Sequence, residues 1–122
     1  VKIIQKNELP SSYLKKSILL VESENQHKIS IEHQLRFLNL PYETITNANE
    51  AMATCAEKRN NLAAVIIGHQ PELQRKLLIK LCQRLKLQTI ELLEFGKDIQ
   101  SEQLTLTYPV KLEQLKVTIN RL

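Results

Sequence analysis

The sequence predicts an α/β fold: a doubly wound parallel sheet with helices on both faces. Three observations carry this. The run Ala63-Ala64-Val65-Ile66-Ile67 is short, apolar and rich in β-branched residues, as a strand buried on both faces is. Strand-like runs alternate with segments of helical periodicity, the pattern of repeated strand–helix–strand crossovers. The bulk numbers agree: 122 residues at 43% hydrophobic suffice for one domain with a core, and 25% charged is not a disordered composition.

The elements follow in order. Residues 1–16 are polar and net basic around Pro10-Ser11-Ser12, and read as a linker or arm from an upstream domain; the domain proper is 17–122. With Val at position 1, the chain is expected to be a fragment of a longer protein. Ser17 to Val21 is an apolar strand ending in the polar cluster Glu22-Ser23-Glu24-Asn25, which can start a helix. Ile31, Leu35 and Leu38 then recur at helical spacing until Pro41 ends the run, and Tyr42 to Thr46 reads as an edge-like strand. Asn47 or Asn49 can cap the next helix, whose narrow apolar face is Ala48, Ala51, Met52 and Cys55. The buried strand follows and stops at Gly68. Pro71 suits the first turn of a helix, and Leu73, Leu77, Leu81 and Leu85, widened by Leu78 and Cys82, predict its core-facing stripe. Gln88 to Leu93 is a fourth strand. Glu94 to Gln103 holds a turn of helix at most. Leu104 to Tyr108 is a fifth strand, and Val110 to Leu122 a final helix with Leu112, Leu115 and Ile119 on one side.

Composition bounds the function. No run spans a bilayer and 1–16 lacks the apolar core of a signal peptide, so a cytoplasmic domain without direct membrane contact is expected. Cys55 and Cys82 read as buried free thiols of a reducing compartment. The net charge is +4, and it has an address. From Pro71 to Lys86 there are five basic residues against one acidic, while the rest of the chain is balanced. Arg75, Lys76, Lys80 and Arg84 are thus a candidate basic contact face for an anionic partner. No aromatic residues interleave with them, which disfavours stacking on single-stranded nucleic acid and leaves only phosphate contact. There is no Gly-rich phosphate loop, no nucleophile–base pair and no metal-spaced cluster, so neither an enzyme nor a cofactor is expected. Of the 13 acidic residues 12 are Glu, and the only Asp is Asp98.

Several motifs look familiar in this order. Ile18-Leu19-Leu20-Val21-Glu22 resembles the first strand of response-regulator receiver domains, which ends in an acidic pair. Asn49-Glu50-Ala51 resembles the start of their second helix. Tyr108-Pro109-Val110-Lys111-Leu112-Glu113-Gln114-Leu115 is similar to their closing Lys-Pro segment. The resemblance covers about Ser17 to Leu122. It implies a flavodoxin-like fold with five parallel strands in the order 2-1-3-4-5, here with the fourth helix shortened or missing. In that family an Asp ending the third strand accepts a phosphoryl group, and an acidic pair after the first strand holds Mg²⁺. A Thr or Ser after the fourth strand and a Lys before the Pro contact the phosphoryl oxygens.

Carried over position by position, the resemblance implies a degenerate site. The acceptor position is Gly68. The acidic pair becomes Glu22, the one weak metal candidate, and Ser23. The Thr/Ser position falls at or next to Leu93, the Lys position is Tyr108, and the usual aromatic switch position is Thr105. Tyr108 can fill the vacated volume with its hydroxyl near Glu22, or not reach it. Pro109 is a candidate cis proline. Glu22 is otherwise a carboxylate at the start of a helix. His69 is either a surface loop histidine or a phosphoacceptor or pH-sensing group. His27 and His33 lie on different helix faces and make no ligand pair. The expectation is a non-phosphorylatable receiver-like interaction module of two-component phosphorelay signalling. Its parent would be a hybrid histidine kinase, itself anchored in a bacterial inner membrane. Its partners would be a kinase core, a neighbouring receiver, a phosphotransfer domain or a second copy. The alternative is an anion- or nucleic-acid-binding module using the basic helix.

Overall fold

A computed structural model describes residues 16–93 and 104–121. The arm expected before Ser17, apart from Lys16, and the shortened helix expected within 94–103 lie outside the described residues. Five strands, β1 (Ser17–Val21), β2 (Tyr42–Ile45), β3 (Leu62–Ile67), β4 (Thr89–Leu93) and β5 (Leu104–Thr107), form one parallel sheet in the order β2-β1-β3-β4-β5. Among the described residues four helices pack on it: α1 (Asn25–Phe37), α2 (Ala48–Lys58), α3 (Glu72–Arg84) and α4 (Leu112–Asn120).

The two central strands explain the layering. Ile18 and Leu20 of β1, with Ala64 and Ile66 of β3, enter one core with Ile31 and Leu35 of α1 and Leu115 and Ile119 of α4. The alternate residues Leu19, Val21, Val65 and Ile67 enter the other, against Ala51 and Cys55 of α2 and Leu78 and Cys82 of α3. Alternation puts successive side chains on opposite faces, so a strand covered on both sides must be apolar throughout. Each fully buried Leu or Ile contributes about 1.5–3 kcal/mol. β1 and β3 run in register, Leu20 beside Ile66 and Val21 beside Ile67, which brings Glu22 and Gly68 together just past their ends.

Asn47 is the cap of α2, its side chain accepting from the Glu50 N–H at 2.8 Å. Glu24 caps α1 in the same way, and the hydrogen bond from the His27 N–H holds its carboxyl below its ordinary range. Cys55 and Cys82 are buried and free. Their mutual hydrogen bond, with burial, pushes the Cys82 thiol up and leaves it inert.

The leucine stripe of α3 is corrected by the structure. Leu78 and Cys82 face the core, Leu81 and Leu85 pack at its margin, and Leu73 and Leu77 are exposed at 67% and 46%. The cause is geometric. With 3.6 residues per turn, residues spaced by four drift about 40° per step. Four leucines at that spacing sweep about a third of the circumference, and only the last two stay beside the core.

α1 and α3 end alike. Leu40 N–H reaches back to Leu35 O and Asn39 N–H to Arg36 O; Leu87 N–H reaches Cys82 O and Lys86 N–H reaches Gln83 O. Both are paired back-bonds around a left-handed residue, Asn39 and Lys86 each at φ 60°. Asn tolerates that conformation; Lys does so at a cost of about 1–2 kcal/mol. Lys86→Gly is therefore expected to raise unfolding stability by about 1 kcal/mol, read from the urea midpoint.

Candidate functional site

The site lies where β1, β3 and β5 end at their carboxyl edge, the place where ligands gather in open α/β sheets. Glu22, the first residue after β1, is wholly buried. A carboxylate without water must be satisfied by donors. Its Oε2 accepts from the Glu24 N–H at 3.1 Å and the His69 N–H at 2.9 Å, with His69 Nδ1 also at 3.1 Å. Its Oε1 accepts the hydroxyl of Tyr108. Tyr108 is held from the other side by its own N–H to Leu93 O at 2.9 Å, and the Tyr108–Pro109 bond is cis. Burial, reinforced by the bond to Glu22, raises the phenol well above its ordinary range, so it remains a donor.

Gly68 sits inside this group. Its N–H donates to Val21 O at 2.7 Å. A Cβ there would stand 2.6 Å from Glu22 Cδ and 2.7 Å from the Tyr108 hydroxyl, closer than real Cβ atoms come. The glycine is required by close approach. Imidazole rings wall the tyrosine. His69 stacks on it at 4.5 Å between centroids and 19°, and His27 leans on it at 4.2 Å and 42°. Ser23 turns away, donating its hydroxyl to His69 O at 2.8 Å.

Arg75 is a second correction. It leaves the outer basic face and reaches under the strand ends, donating to Gly68 O and Leu92 O at 3.1 Å each, with Glu91 at 3.6 Å. The sequence places it about 40° from the Leu78–Cys82 axis at 3.6 residues per turn, so the signal is present but masked by the charge run. Lys76, Lys80 and Arg84 remain exposed. Leu93 closes β4 beside Thr107, and Thr105 is half-buried on β5. The structure thus brings Glu22, Ser23, Gly68, Tyr108 and His69 together, adds His27 and Arg75, and keeps Lys76, Lys80 and Arg84 apart.

The donor set does not suit magnesium. That ion wants several carboxylate or water oxygens in a near-octahedral shell. Here one carboxylate has both oxygens engaged by protein donors, and the neighbouring side chain is a serine bound elsewhere. Among the described residues, no cluster of three His, Cys, Asp or Glu side chains could hold a metal ion.

No protein-family model matches the sequence, and no curated protein resembles it. Solved structures do. The fold is that of a receiver domain. A response regulator receiver domain protein from Clostridium thermocellum superposes with TM-score 0.75 at 19% identity, over 87% of this chain and 92% of that one. The receiver domain of a hybrid histidine kinase gives 0.71 at 16%, over 86% and 96%. The receiver domain of a Saccharomyces cerevisiae response regulator, solved with its histidine phosphotransfer protein, is also similar, at 0.68 and 17% over 88% of each chain. The order of the five strands predicted from the receiver resemblance is the order observed. No helix among the described residues is long and apolar enough to cross a membrane.

Two outcomes follow from this packing. Gly68→Ala is expected to cost about 1–3 kcal/mol in urea unfolding. Combined with Tyr108→Phe it should cost less than the sum, because the hydroxyl it strikes is gone; a coupling of about 0.5–3 kcal/mol is expected. A phenol with its pKa raised in the folded state stabilises fully below its unfolded value of about 10, and that contribution is lost as pH rises beyond it. The urea midpoint should therefore fall less steeply above pH ~10 in Tyr108→Phe than in wild type.

Proposed function

We propose that this chain is a degenerate member of the receiver family, a non-phosphorylatable interaction module of two-component phosphorelay signalling. The observation that carries the reading is the filled space at Gly68. The residue ending the central strand has no nucleophile, and the volume beside it is occupied by the Glu22 carboxylate and the Tyr108 hydroxyl. A phosphoryl group arriving there would meet a buried carboxylate, and the cation that would neutralise it lacks its ligands. Ser23 and Leu93, at two further positions of the family's set, offer no substitute.

On this reading residues 17–122 work by contact. The domain is no enzyme, although its parent would be a hybrid histidine kinase, and it sits in the cytoplasm. Its partners are a kinase core, a neighbouring receiver or a phosphotransfer domain. The yeast receiver with this fold that was solved with a phosphotransfer protein supports that class of partner. The anion- or nucleic-acid-binding alternative is weakened by Arg75, whose charge is spent on backbone carbonyls inside the fold.

The test is intact-mass spectrometry after incubation with acetyl phosphate and Mg²⁺. The expected mass is unchanged. A stoichiometric gain of one phosphoryl group on the folded chain would overturn the reading.

A further inference from the structure

α2 and α3 lie side by side on one face of the sheet, sharing a core. Each returns between parallel strands, so the two run in the same direction. Their outer surfaces differ in kind. On α2 the exposed residues opposite Ala48, Ala51 and Cys55 are Glu50, Ala53 and Glu57, spaced three and four apart. On α3 the exposed surface opposite Leu78 and Cys82 is Leu73, Lys76, Leu77, Lys80 and Arg84. One ridge is acidic about a small residue. Its neighbour is basic about two exposed leucines.

We propose that this face is a self-association surface, on which α2 of one copy packs against α3 of a second. A two-fold axis along the helices, between α2 and α3, forms that contact twice with the same patch on both copies. Leu73 and Leu77 then cover the partner's Ala53. Lys76 lies beside the partner's Glu50, and Lys80 and Arg84 beside the partner's Glu57. An apolar centre within a charged, complementary rim is how specific interfaces are built.

The charges are available for this. Lys58, the cation on α2, is turned to Glu43 on β2 at 3.0 Å. Lys76 meets Glu72 at 3.5 Å, but both side chains are mostly in water, and such a pair exchanges at little cost. A lipid surface fits less well, because two leucines and no aromatic residue give little apolar area to insert. Nucleic acid fits less well too. Its phosphates gain nothing from the leucines and are repelled by the glutamates alongside.

Sedimentation equilibrium from micromolar to millimolar protein tests this, with charge-reversed variants. The wild-type chain is expected to show a reversible monomer–dimer equilibrium that weakens with salt. K76E/K80E and E50K/E57K should each associate at least tenfold more weakly. An equimolar mixture of the two should recover the wild-type dimer, because each acidic ridge again faces a basic one. Unchanged urea midpoints in both variants would show that the fold is intact. A chain monomeric throughout, or a dimer indifferent to both variants, would overturn the proposal. So would a monomer that binds anionic vesicles or duplex through Lys76 and Lys80. The phosphodonor experiment is blind to this surface, so either result stands without the other.

Discussion

A buried carboxylate governs the carboxyl edge of this sheet. Glu22 has no access to water, and its charge is tolerable only because backbone N–H groups, an imidazole and a phenol converge on it. Those donors come from the β1–α1 turn, the β3–α3 loop and the end of β5. Holding one anion therefore fixes three segments against each other. Gly68 is part of the same constraint, since any side chain there would displace the carboxylate or the phenol.

Arg75 extends the constraint sideways. It bonds to carbonyls at the ends of β3 and β4 and faces Glu91, so a cation underlies the strand ends while an anion sits above them. The volume between these charges, beside Gly68, is packed with protein atoms that satisfy one another. Removing one member leaves a partner unsatisfied in a dry place, which costs more than the bond itself contributed.

Much of this was legible in the residues. The apolar run ending in Gly68 marked the central strand because burial on both faces leaves no room for polar alternation. The closing Tyr108-Pro109 segment, matched to a known pattern, leaves open whether the phenol reaches Glu22, and in the structure it does. The misreadings share one cause. Residues spaced by four look like a stripe, yet they wind around a helix, so the spacing points Leu73 and Leu77 to the core and Arg75 to the outside. Neither error shows in composition. Both disappear once the angular centre is taken from Leu78 and Cys82. His27 could not have been found, since nothing in a helix's own spacing says which strand's tyrosine its ring will meet.

Gln70 has a further consequence. Its amide accepts from the Ala48 N–H and donates to Thr46 O, both at 2.8 Å, so one side chain from the β3–α3 loop secures the start of α2. The first turn of that helix then cannot fray without loosening the segment that carries His69. Deuterium uptake at the Ala48 amide would accordingly track openings on the far side of β3, and a disturbance at either loop would be felt at both.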